Sequence, residues 1–449
     1  MKRRLLRFFI LPGLLVLALL IWRAYLGVTI NRQLTLIRTA GLPVSGEELN
    51  RWYAAVPDAQ NAALVLTQAF ALRVNYPDSR SNLITNFKSP KHGESLTSEQ
   101  VELLRGYVSL NEARLKKADE AVKLSACRFP MDCSLLMYTP LPHLTGLKDV
   151  CELYQYAALL NLASGNNIAT SSNIVTILAL ARTLDHEPAV ISQYVKTKLI
   201  SMAFATLEYR VAKGGFSPDE ARSLFSAFEQ TKPAGMAVLG LIGDRALTIP
   251  CFTISQTEVA RIRPPDHSND PEKNSPLPCY GPAILRLLGY YQLDYGSYLI
   301  GMNRALTLLS NPPPSNLRAG RFFAGVGEGS KKRQRTMSAQ TFSAYVGIAA
   351  RENEGIAHQR LALTAIAMEN FRTENGRWPD TLVALVPKFL AELPADPFTG
   401  RPLQFQRREA GYVIYSLGRD QEDNGDLAQS EKKQSDDQKS DDIIFTVAR

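Results

Sequence analysis

Fifteen consecutive residues near the N-terminus, Phe8 to Trp22, carry no charge, and Lys2, Arg3, Arg4 and Arg7 stand in front of them. A helix built from that run has no polar face to offer water, so it must be buried in protein or in lipid. With AYLGVTI after Arg23, the apolar character continues to Ile30, 23 residues in all. That is about 35 Å of helix at 1.5 Å per residue, enough to cross a hydrocarbon layer of about 30 Å. Trp22 and Tyr25 suit the interfacial aromatic belt, and Arg23 lies near one end, where its side chain can snorkel.

The basic cluster ahead of the run predicts a cytoplasmic N-terminus, with residues 31–449 outside. We therefore expect a single-pass inner (cytoplasmic) membrane protein that contacts the bilayer through residues 8–30, with its bulk in the periplasm or outside. A cleaved signal peptide is the competing reading, and a buried core helix a third. No good A-x-A cleavage site and no Cys for lipid attachment stand directly after the apolar run that ends at Trp22.

The remainder reads as a globular chain. Apolar residues are 45% and charged residues 21%, which excludes a disordered chain and a many-span membrane protein. From Asn31 to about residue 310, one amphipathic helical pattern follows another. Segments 97–109, 111–124, 144–163, 172–184, 189–212 and 283–309 repeat apolar positions at spacings of three and four. Thr97 with Gln100 forms a capping box. Ser217, Pro218 and Glu220 supply cap, first-turn proline and capping acid for the next helix. No fixed repeat period holds, so the expectation is an all-helical bundle or irregular solenoid. Two Pro- and Gly-rich stretches, 264–279 and 311–336, read as linkers. The division expected is 1–30 anchor, 31–310 helical body, 311–336 linker and 337–449 a separate small domain.

Catalytic signatures are scarce. The chain has no G-x-S-x-G, H-E-x-x-H, P-loop or C-x-x-C. Its five His are scattered, and His143 and His186 read as helix-end or core residues. The basic run Lys331, Lys332, Arg333, Arg335 reads as a solvated linker, and the extracytoplasmic placement argues against nucleic acid. Cys127 and Cys133, six apart in CRFPMDC, are placed to close a small disulfide loop outside the cytoplasm, with two buried thiols as the alternative. Five Cys are too few for a disulfide-built scaffold.

After Thr336 the pattern changes. A long helix, 337–375, ends at Gly376, and a short helix opens after Pro379. A tight turn follows at Asp396-Pro397 and Thr399-Gly400. Strands are expected at 403–407, 411–417 and 443–447, making a three-stranded antiparallel sheet. Gly376, Trp378 and Pro379 are followed by Leu393, Pro394, Asp396, Pro397, Phe398, Gly400 and Pro402, then by Tyr415, Ser416, Leu417, Gly418 and Asp420. This ordered set resembles the C-terminal head of the major (G-type) pseudopilin of bacterial type II secretion. The whole layout resembles bacterial membrane-anchored proteins in which a helical body precedes such a head. Gly13 is followed by Leu14 to Ala18 with no Glu at the fifth place, and the apolar helix ends near residue 30 whereas the head begins at 337. The chain thus departs from a filament subunit, in which the apolar helix and the head are continuous.

The resemblance implies a mainly α protein with a small α+β head, and a Ca²⁺ ion in the loop after Gly418. Asp420, Asp423, Asp426 and Asp442 are the ligands it implies, with Asn424 and Asp441 beside them; hard oxygen donors suit calcium. It also implies other envelope or secretion proteins as partners. The function expected is non-enzymatic assembly or binding at the membrane. The alternatives are an enzyme with its site in the helical body, and a purely structural envelope protein.

Overall fold

A computed structural model describes residues 2–90, 94–262, 277–423 and 442–448. Within them the chain is mainly helical, with seventeen α-helices and one three-stranded antiparallel sheet. Helix α1 (Lys2–Thr39) runs unbroken through Pro12. Ile10, Leu14, Leu15, Val16, Leu17, Leu20 and Ile21 on it are 50–66% exposed. Only from Leu26, Ile30 and Ile37 onward does one face bury against the body. It is the one helix among the described residues that is long and apolar enough to cross a membrane.

Five short helices follow: α2 (Gly46–Trp52), α3 (Ala62–Ala71), α4 (Arg80–Thr85), α5 (Ser98–Leu110) and α6 (Glu112–Ala121). They lead into the central set α7 (His143–Ala163), α8 (Asn167–Arg182), α9 (Val190–Ala212) and α10 (Pro218–Glu229). Both expected capping boxes form, at Thr97 and at Ser217. At the corner between α9 and α10, Arg210 and Glu220 pair at 2.6 Å in the interior. Ser171 donates to the same carboxylate, and Arg210 also donates to the carbonyls of Gly214 and Gly215. Removing one partner of such a buried pair costs about 3–5 kcal/mol.

The second half contains α11 (Met236–Thr248), α12 (Gln256–Ile262), α13 (Ala283–Leu287), α14 (Tyr290–Leu309), α15 (Arg318–Lys332), α16 (Thr336–Ala344) and α17 (Ile348–Asn375). The single helix expected over 283–309 is broken at Gly289, whose φ of 78° turns the chain left-handed. Likewise 337–375 is two helices, and Gly376 ends the second with φ 71°.

The stretch 311–336 is not an open linker. Most of it is α15, which buries Ala319 and Phe323 and packs along α16. Its glycines serve approach rather than looseness: a Cβ on Gly320 would lie 2.8 Å from the Val346 carbonyl oxygen. The other expected linker, 264–279, falls largely outside the described residues.

Strands β1 (Gln404–Arg408), β2 (Gly411–Ser416) and β3 (Ile443–Ala448) lie in that order, with every β2 residue buried. Phe405 stands opposite Ile414, and Ile414 opposite Phe445. Strand alternation sends Tyr412, Ile414, Phe445 and Val447 into a large core shared with α7, α8, α9 and α17. The Phe445 ring meets Phe204 of α9 edge-on at 5.3 Å. The C-terminal sheet is therefore built onto the helical body, and the expected boundary at 311–336 does not divide the core.

Candidate functional site

Buried acids position the elements around the pocket that Asp244 and Tyr345 line. Asp294 of α14 accepts from the backbone N–H of Met337 (3.2 Å) and Ser338 (3.3 Å), so it caps the first turn of α16 from another helix. Glu352 of α17 does the same for α11, accepting from Ala237 N–H at 2.7 Å. Burial raises the pKa of both carboxyls above the usual carboxylate range. The third contributor is the turn between α8 and α9. A Cβ on Gly243 would lie 1.6 Å from the Pro188 carbonyl oxygen, so only glycine lets α11 touch that turn.

This contact delivers Asp244. Its Oδ1 accepts from Val190 N–H at 3.2 Å, and its Oδ2 from the Tyr345 hydroxyl at 3.0 Å. Burial pushes the Asp244 carboxyl up to about 6, against the two hydrogen bonds that favour its charge. Tyr345 rises well above its ordinary value for the same reason. Above the pair opens a cavity of about 340 Å³, walled by residues that include Met131, Met137, Ile191, Leu247, Met337 and Ala344. Thr139, Thr248, Gln340 and Thr341 add hydroxyl and amide groups. A mostly apolar wall with a few convergent polar groups is the usual make-up of a small-molecule site. No His, Cys, Lys or Arg lines it among the described residues.

A second polar cluster lies in the same region. Glu187 is fully buried; its carboxylate contacts His143 Nε2 at 2.8 Å and accepts from Ser192 Oγ at 2.5 Å. The His143 ring stacks on Phe129 at 4.2 Å. The carboxylate sits between serine and histidine, so histidine cannot activate the serine. The cluster ties the 129–143 segment to the α8–α9 turn, in keeping with the core reading of His143. His186 is exposed at that turn.

The expected disulfide is corrected: Cys127 and Cys133 are both free thiols. They face different interiors. Cys127 packs at the edge of the large core, while Cys133 joins Leu49 and Ala246 in a separate cluster. Burial pushes the Cys127 thiol up to about 12.

Among the described residues no three His, Cys, Asp or Glu side chains converge as a metal site. Asp423 Oδ1 accepts from the Tyr415 hydroxyl at 3.1 Å, and Asp420 Oδ1 from Glu422 N–H at 3.2 Å. Asp442 stands at the entry to β3, while Asp426, Asn424 and Asp441 lie outside the described residues. Asp396, in the turn that precedes β1, has a structural task. It accepts from Phe398 N–H, Ser416 Oγ and Leu417 N–H at 2.8–2.9 Å, locking the turn to the end of β2.

Compared with models of known families, with characterised proteins and with solved structures, the chain matches none. Sequence reasoning had passed over Asp244. The available signal was an acid inside the apolar helix MAVLGLIGDRALT, where a charge has no reason to stand unless it is partnered.

Proposed function

We propose that the protein is a single-pass, membrane-anchored binding protein of the bacterial envelope, with its body outside the cytoplasm. The observation that carries this reading is α1. Seven large apolar side chains stand 50–66% exposed on its first half, while its second half is built into the body. Water does not tolerate so long an apolar rod, and a bilayer does. The basic cluster before it sets the orientation.

The binding site in this reading is the Asp244 cavity. Its chemistry selects a small, mostly apolar molecule with one N–H or O–H that a carboxylate oxygen can accept. Both Asp244 oxygens already hold partners and the walls offer no nucleophile beyond hydroxyls, which favours binding over catalysis. The test uses N-phenyl-1-naphthylamine, an uncharged apolar fluorophore with one N–H. Its emission should rise with the full chain, and Ala344→Trp at the cavity mouth should abolish the rise. Equal emission from parent and variant would remove the cavity from the reading.

An association with type II secretion or a pilus-like system rests on the resemblance of the C-terminal segment. Supporting it are the order of helix, Gly376 stop, Asp396 turn and antiparallel sheet. The resemblance also suggests calcium after Gly418, on the strength of the acids in the sequence. Chelator-sensitive melting of the full chain would support it, and calcium-indifferent melting would remove it.

A further inference from the structure

The body carries an apolar projection at a defined height on α1. Helix α13 (Ala283–Leu287) and the residue after it expose Ile284 (58%), Leu287 (60%) and Leu288 (47%). Arg23 of α1 donates to the carbonyl oxygens of Arg286 and Leu287 at the C-terminal end of α13. Gly289, one residue on, is in close contact with Arg23 and Leu26: a Cβ there would lie 2.9 Å from Leu26 Cδ1. The projection is thus fixed beside residues 23–26.

That height can be read in the bilayer. A hydrocarbon layer of about 30 Å takes up about 20 helical residues. Counted from Phe8, the first residue after the basic cluster, it ends near Gly27. Residues 23–26 then lie at the boundary between acyl chains and headgroups, and so does whatever is held against them. Trp22 and Tyr25, with rings stacked at 6.1 Å, mark the same level.

Charge complements the apolar tip. The Tyr290 hydroxyl, just after α13, donates to the Arg333 carbonyl oxygen at the end of α15. This joins exposed Lys331, Lys332 and Arg333 to the projection, and none of the three forms a salt bridge among the described residues. Arg335 is held aside by Ser297 Oγ at 2.6 Å. An apolar tip with a basic rim is the arrangement that seats a helix in an anionic lipid surface.

We propose that α13 is a lipid-docking foot. Ile284, Leu287 and Leu288 enter the leaflet from which α1 emerges, and Lys331, Lys332 and Arg333 bind anionic phospholipid phosphates at its edge. The body is thereby held against the membrane at two points instead of swinging on α1. The inference rests on the reading that α1 spans the bilayer.

The test places single nitroxide labels on the full chain in nanodiscs of phosphatidylcholine and phosphatidylglycerol. Leu287→Cys reports the foot, Leu17→Cys the span, and Val383→Cys (66% exposed, in the C-terminal region) the aqueous control. The unsubstituted chain sets the labelling background. Oxygen should relax the Leu287 label several-fold more than a water-soluble nickel chelate does, as at Leu17, with the reverse at Val383. A Leu287 label that behaves like Val383 while Leu17 stays in lipid overturns the foot and leaves the span standing. A Leu17 label in water overturns both. Replacing phosphatidylglycerol by phosphatidylcholine should raise nickel access at Leu287, and Lys331→Gln/Lys332→Gln/Arg333→Gln should remove that lipid dependence. Lipid-independent depth at Leu287 in the parent overturns the basic rim.

Discussion

Phe445→Ala separates one cooperative body from a helical body with an attached head. Phe445 sits on β3, is fully buried, and packs edge-on against Phe204 of α9 within the core shared with α17. Truncating an enclosed Phe costs about 3–5 kcal/mol, and the lost aromatic pair accounts for about 0.5–1.5 kcal/mol of such changes. Because Phe445 is fully buried and enclosed by helices and sheet, we expect about 4 kcal/mol. The assay is denaturant unfolding of the detergent-solubilised full chain, followed by hydrogen exchange of separate peptides. If the core is continuous, amides of α9 lose protection in step with those of β2, because both open through the same global unfolding. If β2 loses protection and α9 keeps the parent's, the sheet is a separable domain and the reasoning is wrong.

Three further expectations follow from the interior. Burial raises the Glu369 carboxyl to about 7, although Trp378 Nε1 donates to it at 3.1 Å. A folded pKa above the unfolded value gives stability that is full below about 4.5 and falls as pH rises through 7. Glu369→Gln should therefore match the parent at pH 4.5 and exceed it by about 2–3 kcal/mol at pH 8, read by denaturant midpoints. Gly243→Ala should cost about 1–3 kcal/mol, because its methyl meets the Pro188 carbonyl oxygen; it should also weaken fluorophore binding at the Asp244 cavity. Alkylation after denaturation without reductant should modify all five Cys, with Cys127 and Cys133 each recovered in the alkylated form.

What the sequence made legible was local. Thr97–Gln100, Ser217–Pro218–Glu220 and Gly376 act through neighbours within a few residues, so their caps and stops appear where they were read. The three strands were equally readable from their β-branched and aromatic runs, and only two residues, Glu409 and Ala410, separate β1 from its antiparallel partner β2. Segment 311–336 was misread because Pro312, Pro313, Pro314 and the glycines look like breakers. Burial of Phe323 overrides weak propensity, and Gly320 is needed for contact with Val346. The same long-range logic hid the cavity. Asp294 and Glu352 cap helices 43 and 115 residues away, and no spacing rule reaches across such distances. Cys127 and Cys133 are close in sequence, yet the chain between them turns each toward a different core.

The placement of the body outside the cytoplasm is tested most directly with Ile168→Cys, a position 72% exposed on α8. Intact spheroplasts expressing the full chain are treated with a membrane-impermeant maleimide, with the unsubstituted chain as background. The account predicts labelling at residue 168 before lysis, to the same extent as after it. Labelling that appears only once the membrane is broken would place the body in the cytoplasm and contradict the account.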